Sequence, residues 1–173
     1  QNFQTISGTG TVQGNLTGTG SFAPGTSPGI MTINGNFTPL GVVTFDVDPP
    51  SAVAGVDYDQ YIVNGLVDLS GAMINFMSSM AGTAAPQQIV TLIANDGVDS
   101  NNTSNNLVEG EMLTLPSGIQ YRIFFNGGDG NDVVLVENSA PTVVYVDDSF
   151  TQTVGQPVAD ADLGTAGSQS AVF

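Results

Sequence analysis

The chain contains no cysteine and no histidine among its 173 residues. Thiol nucleophiles, histidine bases, Ser-His-Asp triads and zinc sites built from Cys and His are therefore excluded. Arg122 is the only basic residue, against 16 acidic ones, and the net charge is −15. Nucleic acids and anionic membranes are bound through clusters of Lys and Arg, so we expect neither as a partner.

Long apolar runs are also missing. No stretch approaches the roughly 18 residues that a membrane helix requires, so no membrane insertion is expected. The chain has 22 glycines, 9 prolines and 40% apolar residues, which is too hydrophobic for disorder and too rich in glycine for a helical bundle. Because a surface of one charge repels itself unless cations or salt screen it, we expect an extracellular or cell-surface location in an ionic medium.

Apolar and polar residues alternate with the period of β-strands. In "VVTFDVD" the side chains of Val43, Phe45 and Val47 share one face of the predicted strand. The stretch "IQYRIFF" (119–125) alternates in the same way. In "YIVNGLVDLSGAMINF" the alternation changes phase at Gly71, which indicates a bulge or a corner.

Other segments lack this alternation. "QQIVTLIAND" (87–96) and "DVVLVE" (132–137) are continuous apolar runs, typical of strands buried on both faces. "MSSMAGTAAPQQ" (77–88) is too short and too broken by glycine and proline for a helix, and "NDGVDSNNTSNN" (95–106) is predicted to be a polar loop. The predicted fold class is all-β.

A short internal repeat bears on the architecture. "GTGTVQGNLT" (8–17) is echoed by "GTGSFAPGTS" (18–27), so that G-T-G-x-[VF] recurs after ten residues. Glycine at a fixed period between short β-segments favours stacked turns of a β-solenoid. A β-sandwich remains the alternative.

The stretch "GSFAPGTSPGIMTINGNFT" (20–38) resembles the A-P-G-x-S-x-G-x-[LM]-T-[VI]-x-G-[ND]-[FY] signature of bacterial autotransporter-type passenger β-strand repeats. "VVTFDVD", "YDQYIVNGLVDLSGAMINF" and "QQIVTLIAND" follow in the order typical of that family. The resemblance implies a right-handed parallel β-helix segment, or its cap, displayed outside a bacterial cell. The glycines, prolines and apolar residues of the family's motifs are structural, so it implies no catalytic residue.

We expect two parts in the chain. Residues 1–138 form the β-solenoid or β-sandwich module, and residues 139–173 form a linker and a C-terminal strand segment. The sequence after 138 resembles the start of a further β-helical domain in large extracellular proteins of planctomycete-like bacteria. This tail is therefore either the start of another domain or a strand used in assembly.

The stretch "GGDGNDVVL" (127–135) fits the nonapeptide G-G-x-G-x-D-x-U-x of calcium-binding β-rolls. Asp129, Asn131 and Asp132 would supply oxygen ligands, and backbone carbonyls would complete the six to eight that calcium takes. A β-roll shares each ion between consecutive repeats, but no second copy stands beside this one. The competing interpretation is a hairpin whose glycine-rich turn joins "IQYRIFF" to "DVVLVE".

Two further pairs of acids are candidate sites, because their spacing i, i+2 places both side chains on one side of a strand. They are Asp57 with Asp59 and Asp160 with Asp162. Each pair is a candidate cation chelator or glycosidase dyad, and the simpler interpretation is solvated loop charge. Arg122 is expected to pair with a neighbouring carboxylate rather than to act in catalysis.

The tail offers a candidate assembly strand. The segment "TVVYVDDSF" (142–150) is apolar on both faces and follows the linker "NSAP", and the chain ends on "AVF". A strand without a partner of its own is what strand addition to a second copy requires. The residues expected to carry self-association are Val143, Val144, Tyr145, Val146, Phe150, Val172 and Phe173.

The function that these features favour is a non-enzymatic extracellular structural module that spaces, displays or assembles into filaments. One alternative is a carbohydrate-active or glycan-binding β-helix domain, although the chain has no Trp and only four Tyr for a sugar platform. The other alternative is a calcium-dependent adhesin module. Calcium is the only cofactor that the sequence suggests.

Overall fold

The computed structural model of the chain describes residues 5–97, 99 and 101–139. These residues contain fifteen β-strands and no helix, so the predicted all-β class is confirmed. The strands are β1 (Thr5–Gly8), β2 (Gly10–Gln13), β3 (Leu16–Gly18), β4 (Ser21–Pro24), β5 (Ile30–Asn34), β6 (Phe37–Pro39), β7 (Val42–Asp46), β8 (Gln60–Val63), β9 (Val67–Asp68), β10 (Met73–Met77), β11 (Ile89–Asn95), β12 (Asn101–Asn102), β13 (Met112–Thr114), β14 (Gln120–Gly127) and β15 (Asp132–Glu137). Across this part of the chain, nothing helical is long and apolar enough to span a membrane.

Consecutive strands from β1 to β12 belong in rotation to three sheets. The first sheet has the order β1-β4-β7-β10, the second β13-β14-β15-β11-β8-β5-β2, and the third β12-β9-β6-β3. Each set of three consecutive strands from β1 to β12 therefore gives one strand to each sheet, and we call such a set a triplet. Strands of neighbouring triplets pair in parallel, as β2 does with β5 and β5 with β8.

The register aligns residues of successive triplets. Leu16 of β3 lies opposite Phe37 of β6, which lies opposite Val67 of β9. The ten-residue echo does not follow this register, because Gly10 lies opposite Met31 instead of Gly20. The ten-residue echo is therefore not the unit of stacking. The unit is the triplet, and its length changes along the chain.

The last three strands form an antiparallel layer at one end of the second sheet. β14 pairs with β15, with Ile123 opposite Leu135, and β15 pairs with β11. The hairpin interpretation of the glycine-rich turn is thereby confirmed, and Gly128 and Gly130 both have positive φ there.

The segment after β11 is less irregular than its polar sequence predicts. It contains the short strand β12, which pairs with β9 through Asn101 and Val67. Further on, Asn106 accepts a hydrogen bond from the Ile74 N–H and donates one to the Ile74 carbonyl oxygen, both at 2.9 Å. Its amide thus takes the place of a neighbouring strand at the outer edge of β10, and satisfies backbone groups that would otherwise be open to another strand.

The core lies between the three sheets and is built from the inward side chains of each triplet. Phe37 of the third sheet lies 4.7 Å from Tyr61 of the second and 5.9 Å from Phe22 of the first, between ring centroids. Phe45 lies 5.9 Å from Tyr61 on the same measure. Tyr61 and Tyr121 are both fully buried. The rings of all three sheets therefore share one apolar interior.

The corner between the second and third sheets brings backbone against backbone. A Cβ on Gly35 would lie 2.7 Å from the carbonyl oxygen of Gly14, and one on Gly65 would lie 2.9 Å from that of Gly35. Side-chain amides strengthen the same corner, because the N–H of Asn36 donates to Asn15 Oδ1 at 3.0 Å. Only glycine lets successive triplets approach this closely.

We therefore expect Gly35→Ala to lower the free energy of unfolding by about 3 kcal/mol, because the backbone atoms it meets cannot turn away. Urea unfolding followed by circular dichroism measures the loss. Gly118→Ala is the matched control: φ there is +86° but a Cβ would meet nothing within 4 Å, so we expect a loss of about 1 kcal/mol from backbone strain alone. Equal losses in the two variants would contradict the close stacking of the corner.

Candidate functional site

The connection from the first sheet to the second is longer in each later triplet than in the first. It is Thr9 alone in the first triplet, and then residues 25–29, 47–59 and 78–88 in the next three. We call the last three segments the corner loops. Four buried polar residues lie in or beside them, namely Asp46, Asp48, Ser51 and Asp59. This corner is the densest group of buried polar side chains among the described residues.

Asp59 is fully buried and joins two parts of the corner. Its Oδ1 accepts a hydrogen bond from the Gly29 N–H at 2.7 Å, and its Oδ2 accepts one from the Asp46 N–H at 2.9 Å. Ser27 Oγ lies 3.3 Å from Oδ2 as a further donor. The expectation that Asp59 carries solvated loop charge is wrong. Its carboxyl group holds the first corner loop to the end of β7.

Asp46 lies beside Asp59 and shares its hydroxyl donor. Ser27 Oγ lies 3.0 Å from Asp46 Oδ2, but a hydroxyl has a single proton to donate. Asp46 is 8% exposed, and its Oδ1 is buried without a hydrogen-bond partner. Ser27 itself is exposed, with φ of 57°. Two buried carboxyl groups therefore lie directly beneath one exposed hydroxyl.

This environment changes the acidity of Asp59. Burial raises the pKa of Asp59 to about 6, against the opposing effect of the hydrogen bonds from Asp46 and Gly29. The negative charge of Asp46 adds to the rise. A carboxyl group with this pKa exchanges its proton in the mildly acidic range.

Asp48 performs a similar joining role one triplet further on. Its carboxylate accepts hydrogen bonds from Ser78 Oγ and from the N–H and Oγ of Ser79, each at 2.7 Å, and from the Met80 N–H at 3.1 Å. Burial would raise the pKa of Asp48, but these hydrogen bonds outweigh it and lower the pKa. The carboxylate thus holds the third corner loop against the second.

Ser51 connects the corner loops to the hairpin. It is fully buried, its Oγ donates to the Asp48 carbonyl oxygen at 2.9 Å, and it accepts a hydrogen bond from Tyr121 Oη at 3.1 Å. The contact joins residues of the third triplet to β14.

The predicted pair of Asp57 with Asp59 does not share a partner. Asp57 Oδ2 accepts hydrogen bonds from the N–H groups of Ala52 and Val53, at 3.0 and 2.9 Å, within its own loop. Asp59 instead lies against Asp46, whose N–H donates to it and which shares the Ser27 hydroxyl with it. The spacing i, i+2 gave no sign of this, because Ser27, Asp46 and Asp59 come together only when the triplets stack.

The predicted calcium ligands lie in the β14–β15 turn. Asn131 Nδ2 donates to the carbonyl oxygens of Asp96 and Asp99, both at 2.7 Å, and the Asn131 carbonyl oxygen accepts from Asn101 Nδ2 at 2.6 Å. Asn131 is 6% exposed and its Oδ1 is buried without a partner. The side chain therefore fastens the segment after β11 to the hairpin.

The two acids of that turn, Asp129 and Asp132, lie in different environments. Asp132 Oδ1 accepts the Asn95 N–H at 2.9 Å. Burial raises the pKa of Asp132, against this hydrogen bond, and the charge of Asp129 adds to the rise. Asp129 itself is exposed. Within the described ranges, no three acidic side chains converge into a group that could hold a metal, and calcium at this turn stays a prediction.

Among the residues that the structure describes, Arg122 has no carboxylate partner of the kind that sequence analysis expects. Its Nε donates to Asn138 Oδ1 and its Nη1 to the Gly110 carbonyl oxygen, both at 3.0 Å. The remaining predicted residues lie outside the described part of the chain. They are Asp160 and Asp162 of the second acidic pair and the assembly residues Val143, Val144, Tyr145, Val146, Phe150, Val172 and Phe173.

Comparison with known proteins found no similar protein. No protein-family model, no curated protein and no solved structure matches this chain. Its function is therefore inferred from its own residues and their geometry.

The raised pKa of Asp59 predicts how stability depends on pH. Between the ordinary value of 3.8 and about 6, the folded chain keeps a proton that the unfolded chain has lost. The contribution of Asp59 is therefore present in full below pH 3.8 and is lost as pH rises through 6, by up to about 3 kcal/mol. We expect Asp59→Asn to remove this fall from the wild-type profile.

Chemical unfolding of the two proteins at intervals from pH 3.5 to 7 measures the difference. Asp48→Asn is the control, because the contribution of Asp48 to stability should change with pH in the opposite direction. The pKa of Asp48 is lowered, so its contribution is present above 3.8 and is lost as pH falls below it. If Asp59→Asn and the wild type differ by the same amount at every pH, Asp59 does not titrate as its burial requires.

Proposed function

We propose that the triplets are turns of a right-handed parallel β-helix, and that this β-helix is a non-enzymatic structural module outside a bacterial cell. The observation that carries the proposal is the return of the chain to the same three parallel sheets, triplet after triplet, around one apolar interior. A stack of this kind presents a long surface at a fixed spacing. Stems and spacers require such a surface.

The use of the polar side chains supports a structural role. Asp48, Asp57 and Asp59 each accept hydrogen bonds from backbone N–H groups of loops. These groups lack strand partners, so the carboxylates stabilise the loops directly. A general acid or a nucleophile must instead reach its substrate, and Asp59 is fully buried.

An extracellular location rests on composition and resemblance. A net charge of −15 is best tolerated where salt and divalent cations are abundant. The stretch at 20–38, which resembles the passenger repeats of bacterial autotransporters, includes the first corner loop and β5. The serine and the second glycine of the A-P-G-x-S-x-G part of the signature are Ser27 and Gly29. They donate hydrogen bonds to the carboxyl groups of Asp46 and Asp59, respectively. The motif therefore has a structural purpose in this chain.

We expect no turnover of neutral or acidic polysaccharides, because Asp57 is hydrogen-bonded within its own loop and Asp59 is fully buried. Reducing-sugar and unsaturated-product assays at pH 5 and 7 measure hydrolase and lyase activity. Turnover that disappears in the double variant Asp57→Asn/Asp59→Asn would contradict the structural proposal and favour a carbohydrate-active domain.

Self-association is the second half of the proposal. Among the described strands, β1, β2 and β3 are edge strands that pair on one side only. At the opposite end, β15 covers β11 and Asn106 covers β10. Unpaired strand edges accept additional strands. We infer that the apolar segment 142–150 of a second copy adds to the edge formed by β1–β3.

Light scattering in physiological salt tests this assembly. We expect the full chain to form species larger than a monomer and a chain ending at Ser139 to stay monomeric. Thr11→Glu, on the exposed face of edge strand β2, is expected to weaken assembly by charge repulsion. Asn75→Glu, exposed on β10 at the covered end, is the matched control and should assemble normally. A monomeric full chain, or equal assembly of all four proteins, would contradict strand addition at this edge.

A further inference from the structure

Asp46 and Asp59 raise a problem of charge. Buried carboxylates in proteins are paired with a cation or bound to a metal, because an isolated charge is costly to remove from water. The only basic side chain of the sequence is that of Arg122, and its described hydrogen bonds go to Asn138 and Gly110. When both are ionised, the two buried carboxylates therefore need a positive partner that the side chains do not supply.

The oxygens of the cluster have the spacing of a coordination shell. Ser27 Oγ lies 3.0 Å from Asp46 Oδ2 and 3.3 Å from Asp59 Oδ2. Calcium binds its oxygens at about 2.3–2.6 Å, which places neighbouring ligands roughly 3 to 3.5 Å apart. Magnesium requires a smaller and more regular octahedron. Both distances from Ser27 Oγ to the carboxylate oxygens fall within the range expected of neighbouring calcium ligands.

An unsatisfied atom belongs to the same group. Asp46 Oδ1 is buried without a hydrogen-bond partner, on a residue that is only 8% exposed. Buried polar atoms are rarely left unpaired in proteins, and an ion is one of the usual reasons. Ser27 is an exposed residue, so water can complete the ligand set on its outer side.

We propose that Asp46, Asp59 and Ser27 form a calcium site at the first corner loop. The ion is held by the carboxylates of Asp46 and Asp59 and by the Ser27 hydroxyl oxygen, with water in the outward positions. Its binding fastens residues 25–29 to the ends of β7 and β8. The site is separate from the predicted one at Asp129, Asn131 and Asp132, and it does not require that the chain assembles.

Calcium binding to the full chain tests the proposal. We expect isothermal titration at pH 7.5 to show a saturable calcium site, and calcium to raise the melting temperature more than sodium chloride of equal ionic strength. Terbium, which replaces calcium, should give luminescence sensitised by tyrosine, because Tyr58 and Tyr61 flank Asp59 in the sequence.

Asp46→Asn and Ser27→Ala are the informative variants. The first keeps an oxygen for the Ser27 hydrogen bond, and the second changes an exposed residue, so we expect both to fold. Each should weaken calcium affinity at least tenfold and lower the terbium signal. The double variant Asp129→Asn/Asp132→Asn is the control and should bind calcium at the Asp46 site as the wild type does.

Two results would overturn the proposal. One is equal stabilisation by calcium and by sodium chloride in the wild type, which would mean that a proton rather than a metal neutralises the pair. The other is calcium binding that survives Asp46→Asn but is lost in Asp129→Asn/Asp132→Asn, which would place the ion in the β14–β15 turn.

Discussion

Parallel stacking of each triplet on the one before it is the constraint on which the rest of this structure depends. A strand such as β5 is hydrogen-bonded to β2 on one side and β8 on the other, so its register is fixed by both neighbours. Three sheets stacked in this way must direct apolar side chains inward at every level, and Phe22, Phe37 and Tyr61 meet there. Where the chain turns between the second and third sheets, backbone meets backbone and a side chain has no room.

The many carboxylates of the chain have a structural role in this fold. Loop backbone groups outside the strands need hydrogen-bond acceptors, and carboxylates provide strong ones. Asp48 serves Ser79 and Met80 in this way, and Glu137 serves Gln87. With a single arginine in the sequence, ion pairs cannot hold the loops together. Hydrogen bonds from backbone N–H groups to carboxylates take their place. The cost is that carboxyl groups such as Asp59 are buried without a basic partner.

Local sequence patterns predicted the strands but not their arrangement. The alternation around Phe45 and the apolar run of β11 depend on neighbours in the chain, so they could be interpreted directly. The register could not, because the spacing between stacked residues changes with each corner loop. For the same reason the burial of Asp59 was missed: "DYD" is typical of a solvated loop, and its partner Ser27 lies 32 residues away. The buried position of Asn131, whose Oδ1 has no partner, likewise could not be predicted. It depends on the segment of Asp96 and Asp99, which the fold brings to the turn.

The concentration of length changes in the corner loops has an evolutionary consequence. Residues inserted between the first and second sheets alter the surface without disturbing the register of the strands or the composition of the interior. One corner can therefore vary in length while the corner between the second and third sheets, where Gly14, Gly35 and Gly65 lie, stays short. A chain that varies in this way loses its recognisable period while keeping its architecture, and its surface can acquire new chemistry without a change of scaffold.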